Sequence, residues 1–189
     1  MIRPLRVLIA LPALLASSVA LAAALVPAPL RAAILARSAG YERGFSERPG
    51  PAVLAVVLGK SGAAADDGRA MLGVFNKLLK DARLGGRPSR VVQITHDSVP
   101  KTVEELKSQK AEIVYFASGM EGVINSVPAQ EGEIRRILVC ANGGDVALGC
   151  TLGVELDGDK PRLVLNLKQA NATGLRFDPG LLRLARIVR

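Results

Sequence analysis

The residues that could support catalysis are few, and their spacing does not suit it. His96 is the only histidine in the 189-residue chain, and it stands in the consecutive run His96-Asp97-Ser98. A catalytic triad needs side chains that converge in space from separate elements, which three consecutive residues do not provide. Ser118 precedes a glycine, but the Gly-x-Ser-x-Gly pattern of a nucleophile elbow fails at both ends. We therefore predict a non-catalytic protein, and a hydrolase built on Ser118 and His96 is the weakest hypothesis.

A second pattern, Leu58-Gly59-Lys60-Ser61, follows an apolar run as a phosphate-binding loop would. The full P-loop motif needs another glycine five residues before Gly59, and that position is Leu54. Asp66 and Asp67, in the first turn of the predicted helix that follows, would repel an anion from its N-terminus. The pattern therefore predicts neither nucleotide hydrolysis nor a cofactor.

The beginning of the chain predicts export. Two arginines and the apolar run Val7 to Leu15 precede Ala20-Leu21-Ala22, a small-x-small cleavage site. Residues 1–22 therefore have all three parts of a secretory signal peptide, and residues 23–189 would form the mature protein. An uncleaved membrane anchor is the alternative, because apolar residues continue through Leu25.

The charge of the predicted mature chain is basic but dispersed. Loss of two arginines with the signal peptide lowers the net charge from +8 to +6. The chain has no tryptophan and only six other aromatic residues, so it lacks the stacking groups of most nucleic-acid-binding proteins. A basic exported protein is better suited to an acidic partner or an anionic membrane surface.

Cys140 and Cys150 are the two cysteines of the chain. In an oxidising compartment, we expect them to form a disulfide. In the chain-entropy model, so short a loop stabilises the fold by about 2–3 kcal/mol. Zinc binding is the alternative, but two thiols without a nearby histidine make a poor site, so no metal is expected.

Strand and helix patterns alternate along the mature chain. A helical pattern covers residues 29–43, and four apolar strands then alternate with further helical patterns. The predicted strands are residues 52–58, 91–94, 113–116 and 137–139. Short connections between them predict a mainly parallel sheet with helices on both faces, a three-layer α/β sandwich in one domain.

The last quarter of the mature chain has a different pattern. Residues 148–156 and 161–167 predict a β-hairpin around the turn Asp157-Gly158-Asp159-Lys160. Asp178 is placed to cap a C-terminal helix that would run to Val188 and close the core. The fold class is therefore a three-layer α/β sandwich with a C-terminal hairpin and a closing helix.

The predicted parallel sheet suggests a place for a ligand. In open α/β sheets, ligands bind beyond the carboxyl ends of the strands. Four predicted strands lead to Gly59, Thr95, Ser118 and Asn142, which we take as candidate ligand-binding residues. They support one of two functional hypotheses, a periplasmic small-molecule-binding protein.

Two runs near the C-terminus carry a resemblance to a known family. They are Gly174-Leu175-Arg176 and Leu181-Leu182-Arg183-Leu184-Ala185-Arg186. Together with Leu58-Gly59, Gly86-Arg87-Pro88 and Gly143-Gly144, they resemble the YfiR/HmsC-type family of periplasmic signalling regulators. The resemblance implies a small α/β fold, dimer formation and a disulfide at the position of the two cysteines.

The same resemblance implies the first functional hypothesis. Better-known members of this family restrain an inner-membrane diguanylate cyclase, and so hold down cyclic-di-GMP and biofilm formation. The chain would then be a periplasmic, non-catalytic regulator that binds the periplasmic part of such a sensor. A membrane sensor kinase is the alternative partner.

Four residues are candidates for partner binding. The family usually carries aromatic residues and a Trp-Pro step in the segment that corresponds to residues 40–49, where this chain keeps only Tyr41 and Phe45 as aromatics. The missing tryptophan leaves the identity of the partner open. Arg183 and Arg186 belong to a stripe that recurs every third residue, which is either a solvated face or a docking edge for an acidic partner.

Overall fold

The computed structural model describes residues 25–188. The predicted signal peptide lies outside this range. Seven strands form one sheet, and two short strands form a separate antiparallel ribbon. The strands are β1 (Ala52–Leu58), β2 (Ser89–Thr95), β3 (Ile113–Phe116), β4 (Gln130–Glu131), β5 (Ile134–Arg135), β6 (Ile137–Cys140), β7 (Leu152–Asp157), β8 (Lys160–Asn166) and β9 (Arg186–Val188).

The main sheet has the strand order β2-β1-β3-β6-β7-β8-β9. The first five strands in this order are parallel, β8 is antiparallel to β7, and β9 is parallel to β8. Helices cover both sides of the sheet. The helices are α1 (Ala28–Ala39), α2 (Gly62–Leu79), α3 (Val99–Ser108), α4 (Glu121–Ile124), α5 (Leu167–Ala172) and α6 (Pro179–Leu184), with a 3₁₀ helix at Gly143–Leu148. This arrangement confirms the predicted three-layer α/β class with its C-terminal hairpin.

The core is centred on β1, whose seven residues are all buried. An apolar run without alternation is typical of a strand covered on both faces, because neither side of the sheet meets water. Helix α2 approaches the end of this strand closely at Gly68, where an added Cβ would collide with the Leu58 side chain. A glycine at this position therefore lets the helix pack directly on the sheet.

The predicted pairing of Cys140 and Cys150 is present in the structure. Cys140 ends β6, Cys150 precedes β7, and their Cα atoms lie 5.9 Å apart. The bond closes a loop that contains the 3₁₀ helix. It ties together two adjacent parallel strands that are connected through this 3₁₀ helix.

The C-terminal helix is shorter than the sequence predicted. Asp178 caps it as expected, since its Oδ1 accepts a 2.7 Å hydrogen bond from the N–H of Gly180. The helix ends at Leu184, however, and residues 186–188 become β9, which pairs with β8. Without β9, strand β8 would expose an unpaired edge, and pairing that edge satisfies backbone groups that a longer helix would leave open.

Within residues 25–188, no helix has both the length and the apolar composition needed to cross a membrane.

Candidate functional site

Backbone hydrogen bonds join the segment just after α1 to the segment just before α6. The N–H of Asp178 donates to the carbonyl oxygen of Tyr41 at 2.8 Å, and the N–H of Arg43 donates to that of Arg176 at 2.7 Å. Glu42 and Phe177 form an antiparallel bridge between these two bonds. Two segments that are remote in sequence, and that both carry candidate partner-binding residues, are therefore neighbours.

A groove of about 300 Å³ lies between these two helices and β8. We call it the α1–α6 groove, and it is lined by Ile34, Arg37, Ser38, Tyr41, Pro161, Leu163, Leu181 and Leu184. Leu181 is buried, whereas Leu184 is 68% exposed, the highest value among the large apolar side chains that the structure describes. An exposed leucine beside a half-buried tyrosine gives the groove an apolar surface that is open to a partner.

The two candidate arginines have different surroundings. Arg183 is exposed in the last turn of α6, next to Leu184, and forms no ion pair with residues 25–188. Arg186, on β9, donates two hydrogen bonds to the Glu155 carboxylate, at 2.6 and 2.8 Å. These bonds raise the pKa of Arg186 and compensate its charge. Arg183 is therefore the better placed of the two to meet an acidic partner.

Phe45 does not contribute to an exposed surface. Its side chain is 0% exposed, and the guanidinium groups of Arg48 and Arg87 each lie 5.1 Å from the centre of its ring. Gly85 covers the ring as well, at a position where any Cβ would collide with it. The prediction that Phe45 contacts a partner is therefore wrong. Its ring packs in the core beneath the two arginines, as is usual for a large apolar side chain.

Glu42, next to Tyr41, is a buried acid that the sequence does not predict. The side chain of Glu42 is 1% exposed and accepts a 2.7 Å hydrogen bond from Arg48. Burial raises the pKa of this carboxyl, and the charge of Arg48 partly opposes that rise. The spacing of the acidic residues gives no hint of this burial, because it depends on the bridge to Phe177.

The four candidate ligand-binding residues converge at one edge of the sheet. Because β1, β2, β3 and β6 are parallel, their carboxyl ends bring Gly59, Thr95, Ser118 and Asn142 to the same side. Several polar groups of these residues are already engaged within the chain. The Ser118 N–H donates to an Asp67 oxygen at 3.0 Å, and the Asn142 side chain accepts from the N–H of Gly144 at 3.1 Å.

Asp67 is the centre of a buried network at this edge. Its carboxylate pairs with Arg31 of α1, and the two side chains are 9% and 2% exposed. It also accepts a 2.8 Å hydrogen bond from the hydroxyl of Tyr115. Burial raises the pKa of Tyr115 well above its usual value, so this hydroxyl stays a donor. The Asp67 carboxylate therefore accepts the hydrogen bond that the Ser118 N–H could otherwise donate to a bound anion.

The sequence predicts Asp67 in the first turn of a helix, whereas α2 begins at Gly62 and places Asp67 in its second turn. A signal for its burial was available, because Met71 follows it by four residues and belongs to the core stripe of α2. Arg31 was harder to recognise, because its apolar neighbours predict only an amphipathic helix. Both side chains act here as structural groups that join α1, α2 and β3.

The residues of the hydrolase hypothesis have other partners. The Nδ1 atom of His96 lies 2.8 Å from the hydroxyl of Thr102. Asp97 is exposed and pairs with Lys101 and Lys60, whose hydrogen bonds lower the pKa of its carboxyl to about 2. Among residues 25–188, no group of three or more metal-ligating side chains could hold a metal ion.

Solved structures with a similar fold include three bacterial proteins. The first is an "ABC domain" in complex with L-Trp from Streptococcus pneumoniae, with 14% identity, a TM-score of 0.58, and 86% and 62% coverage of this chain and that chain. The second, a conserved domain protein from Vibrio cholerae, has 12% identity, a TM-score of 0.62, and 86% and 60% coverage. The third, a substrate-binding protein with adhesive properties from Clostridium difficile in its ligand-free, open form, has 12% identity, a TM-score of 0.55, and 75% and 55% coverage.

At these identities, the likeness shows the fold alone, and the chain spans less than two thirds of each of those proteins. Among curated protein sequences, none matches this chain significantly. The family model described as YfiR/HmsC-like matches residues 28–186. That match extends from the first described helix into β9 and includes the α1–α6 groove.

Proposed function

This chain belongs to the YfiR/HmsC-like family, and from that premise we propose that it binds and restrains a membrane sensor. At the level of the family, membership supports a periplasmic regulator of cyclic-di-GMP signalling. The proposed partner is the periplasmic part of an inner-membrane diguanylate cyclase. The regulator would reach it after export and act by binding, without catalysis.

The observation that carries this proposal is the α1–α6 groove with Leu184 exposed at its side. Binding energy at protein interfaces is concentrated in a few apolar or aromatic side chains and arginines. Tyr41 and Leu184 supply the apolar contacts, and Arg37 supplies positive charge in the groove. Arg183 adds an exposed charge next to Leu184 in the last turn of α6. A complementary partner segment would carry an apolar side chain flanked by acidic residues.

Binding alone is sufficient for restraint. A regulator that prefers the inactive conformation of a sensor shifts its population by the ratio of the two affinities. This mechanism requires no reactive group, and it is consistent with a chain whose single histidine has a threonine as its hydrogen-bond partner. A small-molecule site at the carboxyl edge has weaker support, because Asp67 already occupies the Ser118 N–H.

The proposal is tested by deleting the gene and measuring intracellular cyclic-di-GMP. We expect the level to rise in the deletion strain and to return when the wild-type protein is supplied. Leu184→Glu should fail to restore it, because a buried charge opposes docking in the groove. Leu148→Glu is the matched control, since Leu148 is exposed at 36% but lies in the 3₁₀ helix outside the groove.

An unchanged cyclic-di-GMP level in the deletion strain would contradict the proposal. If the purified protein captures a sensor kinase and no cyclase, the partner is a kinase, and the proposed mode of action, restraint by binding, is retained. The implied homodimer is a separate prediction, and light scattering on the purified chain would measure it.

A further inference from the structure

A second and larger cavity opens at the opposite edge of the sheet, where the parallel strands begin. Its volume is about 760 Å³. We call it the amino-end cavity, and its lining includes Val53 near the start of β1, Arg90 near the start of β2 and Glu112 just before β3. The end of α3 and the β5 strand complete its wall. Its size lies within the range of small-molecule sites in proteins.

One part of the cavity wall is apolar and rigid. Pro49, Pro51, Val53 and Ile134 face it. The rings of the prolines fix the φ angle, and a proline has no backbone N–H group. This apolar surface favours a ligand with a carbon skeleton, because contact between two apolar surfaces removes both from water. A small inorganic ion has no apolar surface to bury.

The other part of the wall carries positive charge that no carboxylate within residues 25–188 neutralises through an ion pair. Arg90 donates two 2.8 Å hydrogen bonds to the side chain and carbonyl of Gln109, which are both neutral. Arg135 donates to the carbonyl of Gly174 at 2.9 Å, and its charge also acts on the nearby Glu42 carboxyl, where it partly opposes the rise in pKa that burial causes. Within residues 25–188, neither arginine forms an ion pair with a carboxylate, and the same is true of the adjacent Lys110.

The acidic groups of the cavity do not cancel these charges. Glu112 is engaged by Arg87 through two hydrogen bonds, at 2.8 and 2.9 Å, and by Arg48 at 3.1 Å. Glu133 is the other acid in the lining, and it is exposed. The cavity and its ion-paired surroundings together hold five cations and three acids, which leaves an excess of two positive charges. The cations are Arg48, Arg87, Arg90, Lys110 and Arg135, and the acids are Glu42, Glu112 and Glu133.

The charged wall is also held in place before any ligand arrives. Arg48 is fixed by Glu42 and Glu112 and lies against the Phe45 ring. Lys110 has a φ of 53°, a left-handed conformation that is uncommon for lysine and that ends α3 at the cavity. A site whose groups are positioned in advance loses less entropy when it binds.

We propose that the amino-end cavity binds a small organic dianion, of the dicarboxylate class. Two carboxylates would neutralise the excess charge. Each guanidinium has five N–H donors, so Arg90 and Arg135 keep at least three beyond their bonds within the chain, and these can donate to a carboxylate. The carbon skeleton would contact the proline and isoleucine wall. The site differs from the carboxyl-edge site that the sequence predicts and from the α1–α6 groove.

The test uses phthalate, a rigid aromatic dicarboxylate, as the probe in calorimetric titration of the purified protein. We expect saturable binding, about tenfold weaker binding of benzoate, and no detectable binding of the neutral phthalamide. Arg90→Gln and Lys110→Gln should each weaken phthalate binding about tenfold, as loss of a charge-assisted contact does. Both side chains are exposed, so thermal unfolding should confirm that the variants stay folded.

Arg69→Gln is the matched control, because it removes an equal charge from the exposed face of α2 and should leave phthalate affinity unchanged. The proposal is overturned if phthalate gives no binding up to about 10 mM. It is equally overturned if the control weakens binding as much as the cavity variants do, or if phthalamide binds as well as phthalate. The measurement needs no membrane partner, so its outcome is independent of the proposed regulatory function.

Discussion

The backbone N–H of Asp178 donates a 2.8 Å hydrogen bond to the carbonyl oxygen of Tyr41. This bond joins the chain just after the first helix to the residue that caps the last helix. The pairing places Tyr41 and Leu184 in the wall of one groove, although 143 positions separate them in sequence. The proposed docking surface thus depends on a contact between the two ends of the domain.

Leu184→Glu should weaken binding of the sensor's periplasmic domain while the protein remains folded. Because Leu184 is 68% exposed, we expect the free energy of unfolding to change by no more than about 0.5 kcal/mol. The dissociation constant should rise at least about tenfold if the leucine is an interface anchor. Titration calorimetry and urea unfolding measure the two quantities, and Leu148→Glu should leave both unchanged. Equal binding by the two variants would exclude the groove.

Arg183→Gln should slow association with an acidic partner. An exposed charge at the edge of an interface acts mainly on the association rate and on its dependence on salt. We therefore expect a lower association rate and a weaker salt dependence, with little change in the dissociation rate. Surface plasmon resonance at two ionic strengths would measure both rates. The same result with Arg69→Gln would show that overall charge, and not this position, is responsible.

Glu42→Gln should change how stability depends on pH. Burial raises the folded-state pKa of Glu42 above the ordinary value of 4.5, so the folded protein holds this proton more tightly than the unfolded chain. Its contribution to stability is therefore present below the ordinary pKa and is lost as the pH rises through the raised one. Relative to Glu42→Gln, the wild type should become less stable as pH rises across that window.

Urea unfolding at a series of pH values would test this prediction. Glu47→Gln is the matched control, because Glu47 is exposed in the same segment and should not alter the slope. A wild-type slope identical to that of Glu42→Gln would show that the buried carboxyl titrates normally.

Asp67→Ala should destabilise the protein strongly. The substitution leaves the Arg31 guanidinium buried without its carboxylate, which typically costs about 3–5 kcal/mol. Asp66→Ala, one residue earlier, removes an exposed pair with Arg69 and should cost less than about 1 kcal/mol. Chemical denaturation of the two variants measures the difference. Similar small losses in both would mean that the Arg31–Asp67 pair adds no net stability.

Replacing both cysteines with serine should lower the free energy of unfolding by about 2–3 kcal/mol, since the loop between Cys140 and Cys150 is short. Reduction of the wild type should give the same loss in urea unfolding. A larger loss in the double variant than in the reduced protein would point to buried hydroxyl groups that lack hydrogen-bond partners.

The residues at the carboxyl ends of the parallel strands show what local sequence patterns can and cannot predict. The alternation of strands and helices correctly predicted that Gly59, Thr95, Ser118 and Asn142 share one edge, because parallel strands order their ends in the same direction. The pattern could not reveal that Asp67 reaches Ser118 from α2. Such a contact depends on how the helix lies on the sheet, which is decided by packing at Gly68.

The sequence by itself determined the fold class, the pairing of the two cysteines and the family. The fold class and the family follow from the periodicity of apolar residues, from turn residues and from motifs that lie within short stretches of the chain. The cysteine pairing follows from the presence of only two cysteines in a chain predicted to be exported. Only the tertiary structure decided that Phe45 is buried, that β9 replaces the end of the last helix, and that two cavities open where they do. Each of these outcomes depends on contacts between segments far apart in sequence, and local propensity carries no information about such contacts.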